Sequence, residues 1–358
     1  MEFGILLVIL TTVIFAVVGV LYTRGKKFSI EDYLTARNSL GFWALASSLV
    51  ASAMGSWILF SPPEVGVRAG VIALIGYGLG SSFAVIIFGW LGLRIRKLMP
   101  NGHALTEFVL HRFGKGMYVI VLLVMIFYMG VYLTAELTGI AQAVNMVFGA
   151  PLILTALVIG IGTMSYTAVG GFKASVFTDI VQYWFMLPLI IIIFFGAILY
   201  LGGFTTIFNN AKSSTPQLFG VNSFGVEYAI TLIIAIVGAE LFNQGNWQKV
   251  YSAKNKKSLV WAFLIAGIIV IPIILATGVF GLFAVGSGVA ENPSVAMFTF
   301  LQKITPRWIL LTTMVLAVIL VMSTIDTLLN GLVSLFTVDI VRLRPHIDKK
   351  KILLIARW

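Results

Sequence analysis

The chain has 358 residues, of which 59% are hydrophobic and 10% are charged, and its mean hydropathy is +1.04. Soluble domains are about 25% charged, so this composition excludes an ordinary soluble protein and indicates an integral membrane protein. The net charge is +11, but the basic residues lie in loops on one side of the predicted membrane, which argues against nucleic-acid binding. No cysteine is present, which excludes disulfides and thiolate metal ligands.

Apolar segments long enough to cross a bilayer, which takes about 20 residues, recur along the whole chain. The first lacks the basic start of a signal peptide and is predicted to be a retained span. The nine predicted spans are 3–22, 40–60, 70–93, 116–145, 151–168, 177–201, 226–244, 258–285 and 308–341.

The loops between these spans differ sharply in charge. Twenty Lys and Arg residues, with Lys249 counted among them, fall on one side of the membrane, and four fall on the other. Because Lys and Arg are enriched in cytoplasmic loops, we expect an integral protein of the cell membrane with its N-terminus outside and its C-terminal tail in the cytoplasm. The remaining role of the basic loops is contact with anionic lipid.

Two spans contain residues that interrupt a helix. The second carries GSWILFSPPE at 55–64, and the seventh carries ELFNQGN at 240–246. Irregular backbone in a membrane is tolerated against protein or a water-filled cavity, and paired broken helices indicate a transporter binding site. Counted from the second span, these are the first and sixth helices, as expected of two inverted five-helix repeats. The alternative is that Gly and Pro are simply common in membrane helices.

Three other segments receive interpretations of their own. The external segment 202–225 is predicted to be a polar, turn-rich loop, and 286–306 to contain a short surface helix. GYGLGSS at 76–82 lies inside a span and follows no strand, so it indicates close helix packing rather than a phosphate-binding loop.

The ninth span carries a continuous polar face. Its members are Ser323, Asp326, Thr327, Asn330 and Ser334, and Thr324 borders it. Such a face must contact protein or water rather than lipid. Hydroxyls that bond back to their own helix are the alternative, but a carboxylate at this depth favours a functional site. Adjacent hydroxyls at 323 and 324 would supply two of the oxygen ligands that a hard cation prefers.

Two further carboxylates, Glu136 and Glu240, lie within predicted spans. A core ion pair is one interpretation of each. Because no Lys or Arg is predicted within the spans, we expect them instead to contact substrate, water or hydroxyl groups. Asp326 has no partner that the sequence alone identifies.

The segment YTAVGGFKASVFTDIVQ, 166–182, resembles the signature of the sodium/solute symporter family, Tyr-Thr-x-x-Gly-Gly-x-x-Ala followed by Thr-Asp-x-x-Gln. Three more stretches are similar to that family. They are EDYLTARNSLG at 31–41, which leads into the first core helix, ASAMGSWILF at 51–60, the broken first core helix, and MSTIDTLLNGLVSLFTVDI at 322–340, the eighth core helix.

The resemblance implies an all-α, polytopic membrane helix bundle with a LeuT-like five-plus-five inverted repeat. One extra helix at 3–22 precedes a first repeat at 40–201 and a partial second repeat at 226–341, and 342–358 is a cytoplasmic tail or the start of a further helix. The family has at least two more core helices, so the chain is expected to be truncated at its C-terminus.

The resemblance also implies roles for individual residues. The implied sodium ligands are the hydroxyls of Ser323 and Thr324 and the carbonyls of Ala51, Met54 and Leu320. Asp179 matches a carboxylate on the cytoplasmic sodium pathway; a helix cap is the alternative. The candidate substrate-binding residues, which lie on the first, third and sixth core helices, are Trp57, Glu136, Asn243, Gln244 and Trp247.

The implied function is Na⁺-coupled import of a small polar solute, such as urea, an amine or an amino acid, by alternating access. Na⁺, the solute and the bilayer are the expected partners, and no cofactor and no other metal are expected. The alternative is a sensor or regulatory membrane module, or a fragment that does not transport. A membrane enzyme is not expected, because the sequence has no HExxH motif, no cysteine nucleophile and no histidine within a span.

Overall fold

The computed structural model describes residues 2–26 and 28–343, and the regular structure in this part of the chain is helical, which confirms the predicted all-α class. The helices are α1 (Glu2–Thr23), α2 (Ile30–Leu34), α3 (Phe42–Ala53), α4 (Ser61–Leu98), α5 (Leu105–Phe148), α6 (Leu152–Tyr200), α7 (Phe204–Ser214), α8 (Ser223–Glu240), α9 (Gln244–Ser252), α10 (Lys256–Gly286), α11 (Ala296–Ile304) and α12 (Arg307–Leu343). Of the predicted tail 342–358, residues 344–358 lie outside the described residues.

Seven of the helices in the described ranges are long and apolar enough to cross a membrane. Helices α1, α5, α8, α10 and α12 each carry one predicted span. The fifth and sixth predicted spans are joined in α6, where Gly171, with φ of 54°, departs from helical geometry. A side chain is disfavoured in this left-handed backbone, so glycine suits the corner between the two spans.

The second predicted span is a broken helix. After α3, Met54 and Gly55 adopt extended backbone, and a 3₁₀ turn at Ser56–Leu59 leads into α4. Pro62 lies in the first turn of α4, where a missing N–H costs no hydrogen bond. Helix α4 bends at Gly70, so its first part completes the second span and its remainder forms the third.

The seventh predicted span is also broken, and it continues further than the sequence suggested. Helix α8 ends at Glu240 and α9 begins at Gln244, where the Asn243 side chain accepts a hydrogen bond of 3.0 Å from the Gly245 N–H. The assignment of Lys249 to a loop was wrong, because Lys249 lies in α9 and is fully buried. Most of α9 is buried against protein, which its polar sequence did not indicate.

Small residues allow α4 to approach its neighbours closely. A Cβ on Gly281 of α10 would lie 1.9 Å from the Pro63 carbonyl oxygen, and a Cβ on Gly76 would lie 2.3 Å from Ala229 of α8. Gly76 begins the GYGLGSS segment, so the structure supports the packing interpretation of that segment. Through these contacts α4 is held against both α8 and α10, next to the two helix breaks.

The two segments that were predicted to be external are more ordered than the sequence indicated. The predicted loop 202–225 contains α7, because Ile207 and Ala211 form an apolar face that is buried. Helix α11 forms within 286–306 as predicted, but Phe298 and Phe300 on it are fully buried, so it packs into the bundle instead of lying on the surface.

Candidate functional site

A cavity of about 50 Å³ lies between the two helix breaks. Trp57 lines it from the 3₁₀ turn after the first break, Asn243 from the second break, and Tyr132, Glu240 and Thr327 from α5, α8 and α12. By itself this cavity is smaller than the range of about 300–1,000 Å³ that is usual for small-molecule sites. Two of the predicted substrate residues, Trp57 and Asn243, therefore lie on this cavity.

Glu240 brings a carboxylate to the cavity. It accepts hydrogen bonds from the Tyr128 hydroxyl (2.8 Å) and from the side-chain amides of Asn243 (3.0 Å) and Asn246 (2.9 Å). In the part of the chain that the structure describes, no Lys, Arg or His nitrogen lies within 4.0 Å of this carboxylate. Neutral donors hold Glu240 in place, and its charge has no direct partner of opposite sign.

Aromatic rings form the wall beside Glu240. The rings of Trp57 and Tyr77 are stacked with centroids 5.7 Å apart, and those of Tyr128 and Tyr132 are 6.0 Å apart. All four rings and Glu240 line a second, more open cavity of about 380 Å³ that adjoins the first and falls within the size range of small-molecule sites. The carboxylate is therefore surrounded by aromatic faces where the two cavities meet.

Glu136 serves the first helix break rather than the cavity wall. Its Oε2 accepts hydrogen bonds from the Ser56 N–H (2.7 Å) and the Ser56 hydroxyl (2.9 Å), at the first residue of the 3₁₀ turn. A Cβ on Gly55 would lie 2.2 Å from the other carboxylate oxygen, so glycine is needed for this approach. Glu136 thus satisfies a backbone donor that the break leaves without a helical partner.

Gln244 and Trp247 similarly brace the second break. The Gln244 side-chain amide donates to the His103 carbonyl at 2.7 Å, and the Trp247 indole N–H donates to the Leu241 carbonyl at 2.8 Å. The Trp247 side chain is fully buried, and its ring lies edge-on to Phe88 of α4. These two predicted substrate residues fix the backbone around the cavity and do not line it.

The predicted sodium-ligand hydroxyls lie where α12 meets α3. The Thr324 hydroxyl donates to the Leu320 carbonyl at 3.1 Å and lies 3.5 Å from the Ser52 carbonyl. The Ser323 hydroxyl donates to Asp179 at 2.8 Å. A hydroxyl that donates its proton to a carboxylate keeps its lone pairs for a cation. This set of oxygens therefore has the chemistry that a hard cation such as Na⁺ requires.

The two predicted carbonyl donors on α3 are buried at the first break. The Met54 N–H donates to the Ala51 carbonyl at 3.2 Å, and that oxygen keeps a second lone pair. Met54 itself has extended backbone, so its carbonyl is not part of a continuing helix. Between these two residues, the Ser52 carbonyl lies 3.5 Å from the Thr324 hydroxyl, so the end of α3 contacts α12 at this point.

Asp179 connects α6 to three other helices. It accepts hydrogen bonds from the hydroxyls of Ser48 on α3 (2.6 Å) and Ser323 on α12 (2.8 Å), and it lies 3.6 Å from the ammonium of Lys249 on α9. These partners are side chains of other helices rather than N–H groups of its own helix. The contacts therefore disfavour a helix cap and connect Asp179 directly to one predicted sodium ligand.

Lys249 is a buried basic residue that the sequence did not predict, and it pairs with Asp179 rather than with Glu136 or Glu240. Its ammonium donates to the Ser48 carbonyl at 3.0 Å and to the Ser52 hydroxyl. The sequence did contain a signal for the burial of Lys249. A half-membrane of about 15 Å takes about 10 helical residues, and Lys249 follows the predicted break at Asn243 by only six positions, which favours burial.

Asp326, which had no assigned partner, is bound by hydroxyl groups of α6. It accepts hydrogen bonds from Tyr166 (2.8 Å), Ser175 (2.7 Å) and Thr178 (3.1 Å), on either side of the corner at Gly171. The polar face of α12 thus contacts protein, as its position predicted. Hydroxyl groups of the α6 signature segment solvate a carboxylate in a place that water does not reach.

Residues 33–357 match the model of the sodium:solute symporter family. This match covers most of the chain. The chain belongs to the sodium:solute symporter family. It is a family of membrane transporters and not of enzymes, so the resemblance stated from the signature segment is confirmed.

Several relatives show the breadth of the sodium:solute symporter family. The chain is 30% identical over 339 residues to the spermidine transporter DUR31 of Candida albicans, covering 94% of this chain and 64% of that protein. It is 24% identical over 258 residues to a urea active transporter of Saccharomyces cerevisiae, covering 66% of this chain and 34% of that one. The chain therefore spans less than two thirds of the length of these relatives.

A solved family structure supports the fold. A Na⁺-coupled sialic acid symporter, in a substrate-bound outward-open state, superposes with a TM-score of 0.84 at 18% identity, covering 99% of this chain and 77% of that one. The predicted LeuT-like architecture is thereby confirmed. At this identity the likeness concerns the fold alone and does not identify the ion or the substrate of this chain.

Proposed function

We propose that the chain performs Na⁺-coupled import of a small organic cation that carries an amine. The observation that carries the substrate class is Glu240, a carboxylate without a cationic partner that lies among aromatic rings on the central cavity. A charge withdrawn from water is stable when it meets an opposite charge. A substrate ammonium group supplies that charge.

The rings around Glu240 suit the same ligand. Trp and Tyr faces attract a cation within about 6 Å of the ring centre, and Trp57, Tyr77, Tyr128 and Tyr132 present four such rings. A neutral solute such as urea would leave the carboxylate charge unbalanced, and an anion would be repelled. The spermidine transporter of Candida albicans, to which the chain is similar, carries a substrate of the proposed class.

Ion coupling rests on the oxygens around the first break. We propose that Na⁺ binds between the hydroxyls of Ser323 and Thr324 and the carbonyls of Ala51, Met54 and Leu320. Asp179 lies next to this set through Ser323 and offers a carboxylate toward the cytoplasmic side. An ion that binds at the break stabilises the conformation in which the cavity accepts substrate. The ion and the substrate are therefore carried together when the helix bundle closes on one side of the membrane and opens on the other.

The direction of import follows from the proposed orientation, with the N-terminus outside and the C-terminal tail in the cytoplasm. The uneven distribution of Lys and Arg supports it. Because the chain has no cysteine, a single cysteine introduced at one position reports on which side of the membrane that position lies. An impermeant maleimide added to intact cells is expected to label Lys212→Cys on α7 and to leave Lys254→Cys unlabelled; the reverse pattern would refute the orientation.

The substrate assignment is tested by uptake of radiolabelled spermidine into proteoliposomes that contain the whole chain. Glu240→Gln removes one charge and keeps the shape of the side chain. Losing one partner of a desolvated charge pair costs about 2–5 kcal/mol, so half-saturation is expected to rise about 30-fold or more. Glu227→Gln, at an exposed position on the same helix, is the matched control.

Equal half-saturation for Glu240→Gln and the unaltered chain would refute the amine site. Spermidine binding to the purified chain without any uptake would refute transport and favour a sensor. The two measurements therefore separate recognition of the substrate from its movement across the membrane.

Sodium coupling is tested in the same vesicles by replacing Na⁺ with choline. Uptake is expected to disappear. Ser323→Ala and Thr324→Ala are each expected to raise the half-saturating Na⁺ concentration about tenfold or more, because each removes a hydroxyl ligand whose contact with the ion is about as strong as a hydrogen bond to a charged group. Thr312→Ala, about three turns earlier on α12, is the control. Uptake that persists in choline, with both variants unaffected, would refute the sodium site.

A further inference from the structure

Lys249 is the residue that neither the family resemblance nor the proposed substrate site explains. Its side chain has no exposed surface, although it carries an ammonium group on a short helix between the second break and the cytoplasmic side. Its Nζ lies 3.6 Å from Asp179, donates to the Ser48 carbonyl at 3.0 Å and donates to the Ser52 hydroxyl. All three contacts are with groups around the first break.

The other carboxylates of this region do not replace Asp179 as the partner of Lys249. Asp326 and Glu240 both lie within electrostatic reach of the lysine. Asp326, however, is bound by hydroxyls of α6, and Glu240 by Tyr128 and two side-chain amides. In the described ranges, Asp179 is the carboxylate that forms an ion pair with Lys249.

Asp179 also belongs to the proposed ion site, because it accepts the hydroxyl proton of Ser323. On the other side of that site, the Ser52 carbonyl lies 3.5 Å from the Thr324 hydroxyl, while the Ser52 hydroxyl accepts from Lys249. The lysine therefore has one intervening residue between it and each of the two hydroxyl ligands. The ammonium group would repel a Na⁺ ion bound between those ligands, because the two positive charges would lie at short range.

We propose that Lys249 is a tethered cation that competes with Na⁺ for Asp179 and thereby sets the sodium affinity of this chain. This inference rests on the proposed sodium coupling. The ammonium neutralises the buried carboxylate when it is paired, so Na⁺ must displace it or bind against its repulsion. A weakened sodium affinity suits a coupled carrier, because the ion must leave on the cytoplasmic side, where Na⁺ is scarce.

Measurement of Na⁺ binding, independent of transport, tests the proposal. The purified whole chain in detergent is titrated with NaCl against choline chloride at constant ionic strength, and both its melting temperature and bound ²²Na⁺ are followed. Lys249→Met removes the charge and keeps an unbranched side chain. Its half-saturating Na⁺ concentration is expected to fall about tenfold or more. Lys173→Met, which breaks a partly exposed pair with Asp32, is expected to leave it unchanged.

Lys249→Arg is expected to change the affinity in the opposite direction. A guanidinium can bind a carboxylate through two parallel hydrogen bonds and stays charged, so it should compete more strongly than an ammonium. The double variant Lys249→Met with Asp179→Asn should lose the gain of the single variant, because the carboxylate under competition is gone. If Lys249 had a purely structural role, neither the opposite effect of arginine nor the loss of the gain in the double variant would be expected.

Each outcome decides the proposal. Sodium affinity that is unchanged or weaker in Lys249→Met, in a chain that still responds to Na⁺, would overturn the competition and leave sodium coupling intact. If no variant and not even the unaltered chain binds Na⁺, sodium coupling itself is refuted. If Lys249→Met folds only when Na⁺ is added, the competition is supported. If Lys249→Met does not fold at all, Lys249→Arg decides: a sodium affinity equal to or higher than that of the unaltered chain would overturn the competition.

Discussion

Glu136 provides a direct test of how the first helix break is stabilised. The sequence predicted a substrate-binding residue, whereas the structure shows its carboxylate bound to Ser56 through the backbone N–H at 2.7 Å and the hydroxyl at 2.9 Å. Glu136→Gln keeps the size of the side chain and replaces one charged oxygen with an amide nitrogen. The substitution therefore isolates the charge from the packing.

The magnitude follows from these two contacts. A hydrogen bond to a charged group contributes about 1.5–3 kcal/mol, and one between neutral groups contributes about 0.5–1.5 kcal/mol. Two donors meet the same oxygen of Glu136, so neutralising it is expected to lower the free energy of unfolding by about 2–3 kcal/mol. For a chain of this size, that corresponds to a fall in melting temperature of about 3–4 °C.

The assay is thermal and denaturant unfolding of the purified whole chain in detergent, with Glu227→Gln as an exposed control. Spermidine half-saturation is measured in parallel and is expected to stay near that of the unaltered chain, in contrast to Glu240→Gln. The reasoning is refuted if Glu136→Gln is as stable as the unaltered chain and instead weakens substrate half-saturation. That result would restore the substrate-contact role that the sequence predicted.

Two further predictions concern packing and pH. Gly281→Ala would place a Cβ 1.9 Å from the Pro63 carbonyl oxygen, so a loss of about 3 kcal/mol or more is expected by denaturant unfolding, whereas Gly238→Ala meets no neighbour within 4 Å. Burial disfavours the Glu31 carboxylate, but hydrogen bonds and charges, above all from His103, outweigh this and lower the pKa of Glu31 from 4.5 to about 2. Its stabilisation is therefore complete above pH 4.5 and is lost as the pH falls toward 2. Melting temperatures of the unaltered chain and Glu31→Gln should differ at pH 6 and converge near pH 2, and a difference that is constant with pH would contradict this.

Local patterns along the chain were sufficient for the scaffold. Long apolar runs predicted the spans, and Gly55, Pro62 and Gly245 predicted where two of them break, because helix interruption depends on nearby residues and backbone preferences. The helical period of α12 placed Ser323 and Asp326 on one face without any knowledge of the neighbouring helices. The spans, the breaks and the polar face each depend on one segment of the chain, so the local sequence determines them.

The partners of the buried charges were decided by the tertiary structure alone. Asp326 meets Ser175, 151 positions earlier in the chain, and Lys249 meets Ser52, 197 positions earlier. Hydropathy placed Lys249 in a loop because charged residues are mostly exposed, whereas α9 is surrounded by protein that solvates its polar side chains. The sequence by itself determined which residues lie within the membrane bundle as apolar helices. The folded bundle determined which charges are neutralised, and by what, because such contacts depend on helices that are distant in the chain.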